Sequence, residues 1–205
     1  MSAPVAAVFD LGGVVIDWEP RRLYRTLFGG DDGAMEQFLE TVCTPEWNAE
    51  QDRGRSLAEG TELLLELHPE SSELIRAFYA RWREMLGGEI PGTVRILEEL
   101  DQRGVALFAM TNWSAETFPF ARENFRVLRR FRGILVSGEE LLSKPDPAFF
   151  ALLAQRFAVE PERTVFIDDS PGNVEVSRRL GYVGLQFSSP ERLRADLVSV
   201  GVLEP

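Results

Sequence analysis

Short apolar runs that stop abruptly at polar residues alternate along this chain with longer stretches of helical periodicity. Val5 to Phe9 is a compact apolar run that ends at Asp10 and is followed, one residue on, by Gly12-Gly13. A run without internal polar alternation predicts a strand covered on both faces, as in a parallel sheet, with the next side chain delivered to the sheet's carboxyl end. Three later segments repeat the design: Val105 to Met110 before Thr111-Asn112, Gly133 to Val136 before Ser137-Gly138, and Thr164 to Ile167 before Asp168-Asp169. Tyr182 to Phe187 is a fifth apolar run. Helical spacing over Thr93 to Arg103, Pro147 to Phe157 and Asn173 to Leu180 fills the gaps, and Gly104 and Gly181 stand where C-capping glycines belong. Strand and helix in alternation predict an α/β fold built on a doubly wound parallel sheet, whose ligands sit at the carboxyl ends of the strands.

Residues 18–88 break this rhythm. Helical periodicity recurs over Arg21 to Leu27, Met35 to Val42, Leu57 to Leu67 and Glu73 to Leu86 with no convincing strand, and Ile90-Pro91-Gly92 marks the return. The pattern predicts an α/β core of residues 1–17 and 89–205 interrupted by a helical insertion, 18–88, placed to close over a site at the end of the first strand. Within it Pro45 to Ser56 is polar and carries Trp47, Asp52, Arg53 and Arg55. This stretch reads either as a surface facing the nucleophile or as a solvated interhelical loop.

Composition narrows the function. Acidic residues outnumber basic ones by 33 to 22, and the net charge of −11 repels a polyanion, so nucleic acid is not an expected partner. Cys43 stands alone and reads as core packing, and His68, before Pro69, reads as a helix-end residue without a catalytic part. The apolar start contains Asp10, lacks a basic leader and is too short to span a bilayer, so the expectation is a cytoplasmic protein without a membrane partner, a monomer or small homo-oligomer.

The polar clusters at the strand ends carry the chemistry. Asp10 with Gly12-Gly13 behind it reads as a nucleophile or metal ligand with amides open to an anion, or as an acid that caps the next turn. Lys144, in Ser143-Lys144-Pro145-Asp146-Pro147, stands just before a helix whose start proline fixes, where its ammonium can meet both a carboxylate and a phosphate. Asp168 and Asp169 are adjacent acids that demand a neutralising cation unless they cap the following helix. Mg²⁺ suits them, because it takes oxygen ligands and shares its shell with phosphate. Thr111 and Asn112 offer a hydroxyl and an amide that bind phosphate oxygens without adding charge.

Taken in order, Asp10, Thr111-Asn112, Lys144-Pro145 and Asp168-Asp169 resemble the four motifs of the haloacid dehalogenase-like hydrolase superfamily. The resemblance covers the whole chain, because the insertion is similar to the helical cap of one large branch. It implies that Asp10 forms an aspartyl-phosphate, that Thr111, Asn112 and Lys144 hold the phosphate, and that Asp10, Gly12 through its carbonyl, Asp169 and Asp168 surround Mg²⁺. The implied substrate is a small phosphorylated metabolite, a sugar phosphate among the candidates. One departure is that Gly12 replaces the second Asp that serves family phosphatases as general acid and base, a role worth about 10²- to 10⁴-fold. Members similar to α-glucose-1-phosphate phosphatases share the Asp-Leu-Gly start, and Asp17 is a candidate replacement acid. The departure keeps two alternatives open: a metal-free 2-haloacid dehalogenase, and a catalytically weak phosphate-binding protein.

Overall fold

The computed structural model describes residues 4–204. Strand β1 (Ala6–Phe9) is fully covered along its length, so both faces need apolar partners and the sequence supplies an unbroken apolar run. Ala7 and Phe9 join a cluster that includes Leu97, Leu100, Leu193 and Leu197, while Val8 packs on the other face with Phe149, Phe150, Leu153 and Phe166. The chain then makes a short strand, β2 (Ile16–Trp18), and enters five helices: α1 (Arg21–Leu27), α2 (Asp32–Thr41), α3 (Pro45–Asp52), α4 (Leu57–Leu67) and α5 (Ser72–Ala80). A 3₁₀ turn, Trp82–Met85, leads into β3 (Leu86–Glu89), which pairs antiparallel with β2 and brings the chain back.

After α6 (Pro91–Gln102) comes β4 (Ala106–Thr111), then α7 (Phe118–Asn124), β5 (Gly133–Val136), the single turn α8 (Ser137–Glu140) and α9 (Pro147–Phe157). Strand β6 (Thr164–Asp168), helix α10 (Pro171–Arg179), strand β7 (Val183–Gln186) and α11 (Pro190–Ser199) complete the fold. The sheet order is β5-β4-β1-β6-β7 with every neighbouring pair parallel. The connections leave β1 toward β4 on one side and β6 on the other, so a crevice opens above these three strands where the winding reverses. The α/β architecture is the one that the alternation of runs predicts, and each of the five sheet strands matches an apolar run to within one residue at either end. Gly104 and Gly181 adopt positive φ, 78° and 94°, as their capping role requires.

Two expectations for the inserted segment fail. Strand β3 stands where only helices are expected and pairs with β2 at the edge of the insertion, and the helix expected from Glu73 to Leu86 stops at Ala80. Leu86-Gly87-Gly88-Glu89 has little local strand propensity; its pairing comes from a segment nearly the whole insertion away. A Cβ on Gly87 would meet the ends of the Asp17 and Arg22 side chains, which would have to shift to admit it. The polar stretch from Pro45 is also no loop over most of its length, for α3 runs to Asp52. Thr44 caps it by accepting from the Trp47 amide at 3.1 Å, and Pro45 opens the first turn. The helices close over their own core of Leu23, Tyr24, Met35, Phe38, Ile75 and Phe78. Cys43 is buried in this core, with the Tyr24 hydroxyl 3.9 Å from its sulfur.

Candidate active site

Register sets the height of the catalytic candidates. Phe9 lies opposite both Ala109 and Ile167, so the residues just beyond, Asp10 and Asp168, leave adjacent strands at one level, with Thr111 one step higher on β4. The Asp10 amide donates to the Ile167 carbonyl at 2.8 Å and holds the chain in this register past the end of β1. The loop between α8 and α9 carries Lys144 into the same crevice.

Lys144 is the chain's single lysine and is almost completely buried. Its Nζ lies 2.9 Å from Asp10 Oδ1 and 2.7 Å from Asp168 Oδ2. Burial opposes its charge, but the two carboxylates outweigh that and hold its pKa above the ordinary lysine value. Asp168 is fully buried, and its other oxygen accepts from the Ser170 amide and the Asn173 side chain, each at 2.9 Å. This carboxylate therefore braces Lys144 and the approach to α10, whose N-cap is Ser170. Asp169 is exposed at the mouth of the crevice.

Asp10, Asp168 and Asp169 each offer a carboxylate oxygen within 4.8 Å of the others. Burial pushes Asp10 up to about 7 against the pull of Lys144, with the Asp168 charge adding to the rise. Asp169, exposed as a residue but with its carboxylate partly shielded from water, is raised too, by that shielding and by the Asp168 charge. One ammonium does not neutralise three acids, and a hard divalent cation would remove the remaining repulsion. The cradle leaves room for such an ion beside Gly13: this glycine sits at φ 73°, and a Cβ there would stand 2.9 Å from Asp169 Oδ2. The donor set of closely spaced carboxylate oxygens fits Mg²⁺.

Thr111 ends β4 with its Oγ1 buried and without a hydrogen-bond partner. An unpaired buried hydroxyl is costly, and a ligand oxygen in the crevice would satisfy it. Asn112 is arranged differently: its Nδ2 donates to the Lys144 carbonyl at 3.0 Å and its Oδ1 accepts from the Lys144 amide at 2.9 Å. Its side chain thus clamps the loop that carries the lysine. Asp17, the candidate replacement acid, forms an ion pair with Arg22 over the β2–β3 ribbon and does not line the crevice's neighbouring cavity.

That cavity opens beside Gly12 and Asn112 and holds about 510 Å³, part of it continuous with solvent. Trp18, Phe78, Tyr79, Trp82 and Trp113 form most of its wall. Of the four residues singled out in the polar stretch, Asp52 alone reaches it. Trp47 turns into the helical core, with its indole N–H donating to the Gly60 carbonyl at 2.8 Å; Arg55 is tied to Gln51 and to the Trp47 carbonyl. Arg53 spans to the core, where its Nε donates to Ser143 Oγ at 3.1 Å. The Asp52 carboxylate accepts from Asn48 Nδ2 at 3.1 Å, and its backbone carbonyl accepts from the Ser137 hydroxyl. Burial raises Asp52 to about 7, against the downward pull of the Ser114 amide and Arg53. The sequence does not display the aromatic wall, because Trp18, Phe78, Tyr79 and Trp82 are spread over three elements and look like ordinary core residues.

Residues 5–181 match the haloacid dehalogenase-like hydrolase family. A sesquiterpene phosphatase of Aspergillus oryzae is 29% identical over 187 residues, covering 89% of each chain. Among solved structures, a haloacid dehalogenase-family enzyme of Bacteroides thetaiotaomicron, in complex with magnesium and inorganic phosphate, superposes with a TM-score of 0.67 at 23% identity, covering 91% of this chain and 95% of that one. An L-2-haloacid dehalogenase of Xanthobacter autotrophicus shares the fold with a TM-score of 0.64 at 18% identity, covering 98% of this chain and 84% of that one. The family match spans most of the chain and includes every strand-end cluster described above but none of the C-terminal helix: the chain belongs to the haloacid dehalogenase-like hydrolases.

Proposed function

We propose that this enzyme is a Mg²⁺-dependent phosphatase that hydrolyses a small phosphorylated metabolite through attack by Asp10. The observation that carries this reading is the meeting of Lys144 with two carboxylates in a cluster of three, next to the unpartnered Thr111 hydroxyl. A carboxylate nucleophile approaches an anionic phosphoryl group only where cations cancel the repulsion. Asp10, Asp169 and the Gly12 carbonyl would hold the metal, with Asp168 behind them; when bound, Mg²⁺ would screen the phosphoryl oxygens and the acids around them.

The chain's own residues account for the remaining work. Lys144 orients Asp10 and is placed to neutralise charge on the transferring group, and Asn112 fixes the lysine by its main chain. Thr111 offers its hydroxyl to a phosphate oxygen. Asp10 displaces the alcohol from phosphorus and becomes an aspartyl-phosphate, and water then attacks that phosphorus and restores the carboxylate. With glycine at position 12, the departing alkoxide needs a proton from elsewhere. Asp52 shares the cavity with Gly12, and its raised pKa keeps a fraction protonated near neutrality.

The cluster of acids also weighs against a metal-free dehalogenase, whose attack on neutral carbon gains nothing from three carboxylates. The test is phosphate release from a panel of phosphate esters with Mg²⁺ and with EDTA, using wild type and Asp10→Asn. Release that needs both the metal and Asp10 supports the phosphatase. Metal-independent halide release from 2-haloacids, or binding of phosphate without turnover, would replace it with one of the other two readings.

A further inference from the structure

The cavity beside Gly12 is unlike the charged centre it adjoins. Its aromatic wall is fixed: Trp82 stands edge-on to Trp113, with centroids 6.3 Å apart and planes at 88°. Trp113 spends its indole N–H on Thr117 Oγ1 at 3.0 Å, which leaves carbon surface facing inward. Tyr79 turns its hydroxyl to Asn48 Oδ1 and Gln51 Nε2, both at 2.9 Å.

The polar lining is committed in the same way. Asn48 is engaged with both Tyr79 and Asp52, Thr117 with Trp113, and Ser114 Oγ accepts from the Glu116 amide at 3.2 Å. Among the described lining residues there is no Lys, Arg or His, and the sole carboxylate is Asp52. A sugar ring would exchange water for a wall whose polar groups already have partners, and a second anionic group would meet Asp52 with no cation in the lining to receive it. An apolar body gains from the same wall by leaving water.

Resting on the phosphatase reading above, we propose that this cavity receives the alcohol part of the ester and selects apolar alcohols, aromatic or isoprenoid, over sugars and over esters with a second anion. Trp18, Trp82 and Trp113, three of the chain's four tryptophans, line it, so an occupant changes their emission directly.

The test has a binding arm and a turnover arm. In Asp10→Asn protein, tryptophan emission is titrated with geraniol and 2-phenylethanol, and with glucose and glycolate. Saturation by the apolar alcohols at concentrations at least about tenfold lower is expected, equivalent to about 1.4 kcal/mol. Equal or tighter binding of glucose or glycolate, or no saturable response to either apolar alcohol, overturns the proposal. Trp82→Ala should weaken the apolar response about tenfold, and full retention would count against the cavity as the binding place.

In wild type with Mg²⁺, kcat/KM for geranyl and 2-phenylethyl phosphate should exceed that for glucose 6-phosphate and phosphoglycolate by about 100-fold, a gap of about 2.8 kcal/mol. The opposite order overturns the selectivity. Saturable binding of apolar alcohols without hydrolysis of any of the four esters would overturn the phosphatase reading and support the cavity's preference, so the two failures are distinguishable.

Discussion

The charged centre and the aromatic cavity lie side by side, yet they are assembled in opposite ways. Asp10, Thr111, Asp168 and Asp169 come from the ends of three adjacent parallel strands, where register fixes their height, and Lys144 is buried among them in direct ion pairs. The cavity instead gathers side chains from the β2–β3 ribbon, α3, α5, the 3₁₀ turn after it and the loop after β4. Chemistry is thus placed by the sheet, while the surface that meets the leaving group is placed by packing of the inserted helices against it. The difference teaches where variation is tolerated: a change in the centre removes a reacting or charge-balancing group, whereas a change in the cavity alters which alcohol is accepted.

Substitutions sharpen this contrast, beginning with the largest effect. Asp10→Asn should reduce kcat for every substrate by on the order of 10⁴-fold or more, as removal of a nucleophile does, and steady-state phosphate release measures it. Lys144→Met should cost about 10³-fold in kcat. It should also cost about 3 kcal/mol of stability, because two buried carboxylates lose their counter-charge; urea denaturation reads the latter. A Lys144→Met protein as stable as wild type would show that the ion pairs contribute nothing to folding.

Asp52→Asn is the variant that links the two regions. It should slow alkyl phosphates by about 10²-fold, while p-nitrophenyl phosphate, whose leaving group barely needs a proton, should keep a burst of nitrophenolate in rapid mixing. The same variant has a signed effect on stability. Asp52 is raised from 3.8 to about 7 by burial, so the native state favours the neutral acid. The stability tied to that neutral form is complete below the unfolded value and is lost as pH rises through about 7. Asn cannot ionise, so Asp52→Asn should match wild type in thermal midpoint near pH 4 and exceed it by several degrees at pH 8. A variant that is more stable but slower would mark Asp52 as a residue kept for activity. The smallest effect belongs to Trp82→Ala, expected to raise KM for an apolar ester about tenfold with a lesser change in kcat.

The same contrast governs how far the sequence could be read. Buried strands announce themselves as continuous apolar runs, so the run before Asp10 and those before Thr111, Ser137 and Asp168 are visible locally and their order suggests the crevice. Charged residues at such positions stand out because burial there is costly without a partner. The ribbon of β2 and β3 is invisible by the same logic, since Leu86-Gly87-Gly88-Glu89 becomes a strand through a partner at Ile16–Trp18 and through the room Gly87 leaves for Asp17. Helix α3 was signalled by Thr44-Pro45, a capping residue followed by an N1 proline, but its polar composition hid it. The aromatic wall had no signature at all, because Phe78 and Tyr79, adjacent on α5, both pack in the helical core while they line the cavity. Asp17 shows the limit of reading spacing alone: it lies near the nucleophile in sequence but is bound to Arg22.

The central claim is that the Asp10 carboxylate itself takes the phosphoryl group. Rapid-quench mass spectrometry of the enzyme mixed with Mg²⁺ and a fast aryl phosphate tests it most directly. The account predicts a transient gain of one phosphoryl group on the peptide that holds Asp10, absent in Asp10→Asn. Phosphate release by Asp10→Asn at the wild-type rate, or a phosphoryl group found on any other peptide, would contradict it.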